Sequence, residues 1–283
     1  MVTGFVNNDR FQYTNPLSLS DALELANDPE LKCIQIFENK PDNEGLELLN
    51  KLVFKQRKDI TLRIYRDWED IHLLKHLTEL ERLNWDVVYP GNTIEPLYHL
   101  KKIRHLSFGM FPGKSKFSLG FIKDFAGTLE SLQVAGDFMD LIPAIPQLSN
   151  LKSISFYSTK LPGFEFLEGL PIEKLSNIGS KVDNFSYLPG LPDIKELFIK
   201  DNSKITDIDF IQEMYNLEKL TVYYVSKVTR FPKCDHLKHL ELISFFECNR
   251  LQDIEELKKL SNCLILVTGN MLPGRCYKYE PKT

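Results

Sequence analysis

Apolar residues recur along this chain in a short phrase. In Ile194-Lys-Glu-Leu197-Phe-Ile199-Lys-Asp-Asn202 the first, fourth and sixth places are apolar and the ninth is asparagine. The phrase returns at Leu217, Leu237, Leu151, Leu129 and Ile103, and in weaker form at Leu31, Asp59, Leu80, Ile172 and Leu260. Eleven copies present 33 slots at places one, four and six. Thirty-one are apolar, with Asp59 and Asn177 the exceptions, where a 43% apolar composition would put about 14. Places three, five and seven are apolar in only 11 of 33 slots. This alternation is the mark of a strand buried on one face. Such a strand is too short to stand alone, so its neighbours must stack in parallel to build one core.

The ninth place often carries a small hydrogen-bonding residue: Asn39, Asp67, Asp137, Thr159, Ser180, Asn202 and Thr268. Where the chain leaves a strand, its backbone groups lose their ladder partners, and a buried polar side chain can satisfy them. Val88, Phe111, Val225 and Phe245 occupy the place by bulk, so the polar ladder is expected to be interrupted.

Residues 17–30 read as a helix, with Ser18 or Ser20 to cap it and Pro29 beyond its end. Residues 45–55 form a second helical stretch, with Leu46, Leu49, Leu52 and Val53 on one face. Later connectors are expected to be partly helical (254–260) or extended and Pro-rich (141–148, 161–171 and 188–192). The division expected is an N-terminal helical cap over 1–30, about eleven repeats over 31–268 and a capping tail over 269–283. No linker separates two domains.

The phrases resemble the leucine-rich repeat family, with its LxxLxLxxN consensus. The stretch 202–217, with Ile205, Ile208, Ile211, Met214 and Leu217, is similar to the short bacterial repeat type that includes the internalins. The resemblance covers about residues 31–268. It implies an α/β solenoid, or horseshoe, with a parallel sheet on its concave face and mixed helical and extended connectors on its convex face.

Composition narrows the function. The formal charge is −4, from 35 basic and 39 acidic residues. A binder of duplex nucleic acid usually carries a basic excess to displace counterions, so none is expected here. The short basic clusters Lys101–His105 and Lys114–Lys116 read as solvated edges. Five cysteines at irregular spacing form neither a disulfide framework nor a CxxC zinc pair. The N-terminus shows no basic region followed by an apolar stretch, and no apolar run approaches the roughly 20 residues of a membrane span. The expected setting is therefore cytoplasmic, with no membrane partner, no cofactor and no metal.

His72 and His76 lie four apart and could share a helix face, but exposed polar residues are the simpler reading. His236 and His239 straddle a strand start. No glycine-rich phosphate loop, GxSxG elbow or HExxH helix occurs, and an open sheet offers little shelter from water. A non-enzyme is expected. The alternatives are a hydrolase or transferase with its site in a connector, marked by a pocket of converging carboxylates, or carbohydrate or nucleic-acid recognition, marked by an aromatic platform or a basic stripe.

The strand side chains that point away from the core supply the candidate site. Eleven strands about 4.8 Å apart span roughly 50 Å, and a strip about 15–20 Å wide gives on the order of 800–1,000 Å². A standard protein interface uses about 800 Å² per partner. The first copies present Arg63, Tyr65, Arg82, Asp86 and His105. The middle copies present small or neutral residues: Ser107, Gly109, Ser131, Gln133, Ala135, Ser153 and Ser155. The later copies present Tyr157, Lys174, Glu196, Phe198, Lys200, Lys219, Tyr223, His239 and Glu241. Exposed aromatics among charges of both signs suit interface anchors. The expectation is a protein that is a monomer on its own and binds a protein partner, as an inhibitor or immunity protein or a regulatory subunit.

Overall fold

The structure is a computed structural model. It describes residues 5–7, 9–13, 16–37, 41–65, 71–86, 95–109, 118–182, 184–260, 263–268 and 276–279. The chain forms two compact units, Met1–Asn150 and Leu151–Thr283.

The first unit holds strands β1 (Phe5–Asn7), β2 (Arg10–Gln12), β3 (Cys33–Ile36), β4 (Thr61–Tyr65), β5 (Arg82–Asp86), β6 (His105–Phe108) and β7 (Ser131–Ala135). β1 runs antiparallel to β2, and from β2 to β7 each strand pairs in parallel with the next. The paired residues put the same place of the phrase side by side: Ile34 meets Leu62, Leu83 meets Leu106, and Leu106 meets Leu132. The fourth and sixth places are accordingly buried in every copy, from Ile34 and Ile36 to Leu132 and Val134.

The second unit holds β8 (Ser153–Tyr157), β9 (Lys174–Ile178), β10 (Glu196–Lys200), β11 (Lys219–Tyr223), β12 (Leu242–Phe246), β13 (Leu264–Thr268) and β14 (Cys276–Tyr279). β8 to β13 pair in parallel, and β14 returns antiparallel to β13. β14 therefore pairs along the outer edge of β13.

Each unit thus has six parallel strands among the described residues, twelve against the eleven expected. The additional one is β2. Its Phe11 pairs with Ile34, and Tyr13 just beyond it is fully buried, so 10–13 form a copy ahead of Leu31. The helix α1 (Leu19–Asn27) follows this copy and connects it to β3. Ser18 caps it reciprocally with Asp21: the Ser18 hydroxyl accepts from the Asp21 N–H at 3.1 Å, and Asp21 Oδ2 accepts from the Ser18 N–H at 3.0 Å. The second helical stretch is α2 (Asn43–Leu48), continued by π-helical turns over Leu49–Phe54.

Two later registers differ from the sequence reading. β12 pairs Leu220 with Ile243 and Val222 with Phe245, so its copy begins at Leu240 rather than Leu237. The cause is visible in the other copies. A buried apolar residue sits three places ahead of the first place in five other copies, at Leu77, Leu100, Leu148, Leu191 and Met214. Leu237 is that residue, and with Leu240 and Leu242 it mimics the phrase. β13 pairs Ile243 with Ile265, which moves its copy two places from Leu260 and puts Thr268 at place seven. At Asp59, the neighbouring Ile60 fills the core, 1% exposed. Asp59 itself accepts from Arg57 Nε at 2.9 Å and Lys32 Nζ at 3.1 Å.

The proline-rich connectors are less extended than expected. Leu141–Ala144 form α3, followed by a 3-10 turn at Ile145–Gln147, and 3-10 turns also occupy Glu165–Leu167 and Leu188–Gly190. Pro146 and Pro189 sit in first turns, where the missing N–H would have had no helical partner. The turn at Leu257–Lys259 agrees with the partly helical reading.

Among the described residues, one feature of the backbone repeats as strictly as the core. Place eight is left-handed in Gly136 of the first unit and in Ser158, Gly179, Asp201, Tyr224 and Glu247 of the second. The turn carries the chain out of the sheet without losing a bond. The N–H groups of Ser158, Gly179, Asp201 and Tyr224 each donate to the seventh-place carbonyl of the next copy, at 2.8–3.0 Å. Just after it, the expected polar ladder appears in the second unit. Thr159, Ser180 and Asn202 are buried; the Thr159 N–H donates to Ser180 Oγ at 3.0 Å, and Asn202 Nδ2 donates to the carbonyls of Ser180 and Val182 at 3.3 Å each. Val225 interrupts it by bulk, and Cys248 takes the place assigned to Phe245, its thiol 3.7 Å from the Val222 carbonyl. Asp137 is exposed instead. Asn39, Asp67, Val88, Phe111, Lys114–Lys116 and the tail glycine and prolines lie outside the described residues.

Candidate interaction face

Because strand side chains alternate, burying places four and six turns three, five and seven outward. In the first unit this brings together Arg63, Tyr65, Arg82, Asp86 and His105. Arg63 Nε donates to Asp86 Oδ2 at 2.5 Å, and its guanidinium carbon lies 5.0 Å from the Tyr65 ring centroid. The Tyr65 ring in turn packs on Phe37, centroids 5.3 Å apart. Arg82 Nε donates to the Lys58 carbonyl. Burial, with Arg82 next to it, holds the His105 imidazole below its ordinary range. Gly109 is required by this cluster: a Cβ there would stand 2.3 Å from Asp86 Oδ1 and 2.9 Å from Asp86 Cα.

In the second unit the outward column at place three brings Lys174, Glu196 and Lys219 together. Glu196 Oε1 accepts from Lys219 Nζ at 3.0 Å and lies 3.2 Å from Lys174 Nζ. Burial pushes the Glu196 carboxyl up, but the two lysine contacts outweigh it and hold the group below its ordinary range. Phe198 lies at place five, and Tyr157, Lys200 and Tyr223 at place seven. Lys200 Nζ stands 5.3 Å from the Tyr223 ring centroid.

Two expected residues are not on this face. His239 is in the turn ahead of β12, and Glu241 is at place two, at the edge, because the copy starts at Leu240. The three-place shift exchanges the faces of β12 and brings Leu242, Ser244 and Phe246 to the outward places. The two-place shift of β13 leaves Leu264 and Leu266 outward, as read from the pattern, with Thr268 now at place seven. Tyr224, at the left-handed place, is 48% exposed. Tyr223, Tyr224 and Phe246 form an aromatic cluster, with Tyr223 4.6 Å from Tyr224 and 5.4 Å from Phe246 between centroids.

The other candidate chemistries fare differently. The turn at Ile71–His76 is 3-10, in which residues three apart are stacked, so His72 and His76 do not share a face. Among the described residues no group of three or more His, Cys, Asp or Glu could hold a metal ion. The basic cluster at 101–105 is matched by acids: Lys102 Nζ donates to Glu79 at 2.6 Å, and Arg104 pairs with Glu130. An open cavity of about 430 Å³ on the connector side of the second unit is lined by Asp207, Asp209 and Glu213. Asp209 is bound by Arg230 at 2.6 Å, while Asp207 and Glu213 are exposed, so the carboxylates do not converge in a dry pocket. Burial pushes the Cys234 and Cys263 thiols up to about 12 and raises Cys248, which makes them protonated core residues at neutral pH. Among the described residues no helix is long and apolar enough to cross a membrane.

No family model and no curated protein sequence matches the chain. Solved structures do. An internalin (InlF) of Listeria monocytogenes is 18% identical, over 87% of this chain and 77% of that one, with a TM-score of 0.52. The leucine-rich repeat domain of the type III effector XopL is 16% identical, over 91% of each chain, with a TM-score of 0.54. The chain has the leucine-rich repeat fold. A third structure, the Drosophila Toll–Spatzle complex, is 12% identical over 93% of this chain but 40% of that one, with a TM-score of 0.56. At these identities the likeness concerns the leucine-rich repeat fold alone. It agrees with the repeated register, the parallel pairing and the ninth-place ladder described above.

Proposed function

We propose that this protein is a non-catalytic binding module that holds a protein partner on the outward side of its leucine-rich repeat strands. The observation that carries the reading is the outward surface of the second unit. Five aromatic or aliphatic side chains, Tyr223, Phe246, Leu242, Leu264 and Leu266, lie on adjacent strands, with Lys200 beside Tyr223, Lys219 beside Leu242 and exposed Tyr224 at the border. Interface cores are enriched in such aromatics and depleted in charge. The crowd of Arg63, Tyr65, Arg82 and Asp86 in the first unit is a second patch of mixed character. One structural neighbour, Toll, is seen in complex with Spatzle, which supports the reading.

A carbohydrate platform is less well served. The rings of Tyr223, Tyr224 and Phe246 meet at 69° and 39° and offer no single flat face for a sugar to stack on. An inhibitor, an immunity protein or a regulatory subunit all fit such a module. A reducing, cytoplasmic setting is part of the same reading and is supported by the free thiols of Cys33, Cys234, Cys248 and Cys263.

Capture on the immobilised chain from native lysate, with mass spectrometry, would identify the partner. The double variant Tyr223→Ala, Phe198→Ala should then lose affinity while keeping its circular dichroism spectrum and melting point. Unchanged affinity in a folded double variant would remove this face from the assignment.

A further inference from the structure

We propose that the outward face of β10–β13 receives a partner segment that carries carboxylates beside apolar side chains. This rests on the protein-binding reading above and gives that site a ligand chemistry.

Three observations converge on this face. The first is the change of composition across paired strands. Place three runs Lys174, Glu196, Lys219, Leu242, Leu264, and place seven runs Ile178, Lys200, Tyr223, Phe246, Thr268. β12 and β13 present no charged side chain at places three, five and seven, whereas β9 to β11 present three lysines and one glutamate. An apolar floor thus adjoins a basic one.

The second is the state of those charges. Glu196 is taken up between Lys174 and Lys219, which leaves the floor with a positive excess. Lys200 lies beside the Tyr223 ring, with the Asp201 carboxylate 4.0 Å away at the strand end. The other nearby acids, Glu218, Glu241 and Glu247, also lie at strand ends, outside the floor. Charges in the desolvated centre of a contact decide specificity more than solvated ones at its edge. A partner covering this floor therefore gains by bringing carboxylates to the lysines and apolar side chains to the leucines.

The third is Tyr224. It occupies the left-handed place, with φ at 52°, where other copies have Ser158, Gly179, Asp201 and Glu247. The fold needs only the turn there, and serine or glycine makes it. A bulky aromatic in this conformation is strained, and strain of this kind gathers at working sites. Its half-exposed ring sits edge-on against Tyr223, at the border of the apolar floor.

The probe is a library of random short peptides displayed on phage and selected on the immobilised full chain. The expected winners combine Asp or Glu with Leu, Phe or Trp. Tyr224→Gly should weaken them about tenfold, in the range of an interface anchor, with an unchanged or higher melting point. Lys200→Glu with Lys219→Glu should weaken them at least as much, and more at low salt. Winners that are basic or uncharged, or that bind both variants as well as the parent, would overturn the inference. So would the absence of winners, or self-association of the parent that Tyr224→Gly abolishes, which would make a second copy the occupant. Winners lost instead with Arg63→Glu would also overturn it, while leaving the protein-binding reading intact on the first unit.

Discussion

Leu242 and Ile243 are adjacent and similar in size, yet the register of β12 gives them opposite fates. Ile243 pairs with Leu220 at place four and is 0% exposed; Leu242 pairs with Lys219 at place three and faces outward. Lysine at each position separates the two registers. In Ile243→Lys an ammonium replaces a fully buried side chain. Removing the isoleucine forfeits about 2–3 kcal/mol of burial, and the trapped charge costs several kcal/mol more, for a total of roughly 5 kcal/mol or above. That is comparable to the whole stability of many domains. Leu242→Lys reproduces what Lys219 already does in the neighbouring strand. Its alkyl stem can lie along the surface while the charge stays in water, so the loss should be about 1 kcal/mol. Urea unfolding followed by circular dichroism reads both variants against the parent. If the copy began at Leu237 instead, Leu242 would be core and Ile243 surface, and the order would reverse. A Leu242→Lys protein that is less stable than Ile243→Lys refutes the register and the outward apolar floor with it.

Three further outcomes are expected. Asn202→Ala removes two donated bonds and the one accepted from the Lys204 N–H at 2.8 Å, so it should cost roughly 3 kcal/mol in urea titration. Gly109→Ala must push Asp86 aside and should cost about 1–3 kcal/mol, with loss of the Arg63–Asp86 contact visible in the Arg63 Nε NMR signal. His105 titrates below its ordinary value in the folded chain, so the unfolded chain binds the proton first; stability present above about pH 6.5 should fall as pH drops below it. His105→Gln should flatten that part of a stability–pH curve, and an unaltered slope would show that the imidazole is not the group responsible.

Much of this fold was legible because its core is periodic. Burial on one face of a strand demands apolar residues two apart, and stacking demands that the demand recur, so the phrase could be read from Ile34 and Ile36 to Leu220 and Val222. The phrase misled where a connector imitates it. Leu237 is buried by the turn ahead of β12, and its spacing to Leu240 and Leu242 matches a strand that is not there. A single short copy ahead of Leu31 carries no period of its own, and β2 shows itself only through its pairing: Phe11 stands beside Ile34, and the Tyr13 N–H donates to the Gln35 carbonyl. The candidate face suffered most from these slips. His239 and Glu241 left it, and Leu242 and Phe246 joined it, because a shift of three places exchanges the two faces of β12.

The order of apolar and polar residues by itself determined that the chain builds parallel strands on a repeated register, and which side chains in most copies point inward. It did so because the hydrophobic effect acts on each residue according to its own character. The tertiary structure decided which residues stand side by side across strands. Hydrogen-bond pairing between neighbours set the final registers, the run of left-handed turns that holds Tyr224 in the open, and the meeting of Lys174, Glu196 and Lys219. Pairing is a relation between distant stretches, and no single phrase contains it.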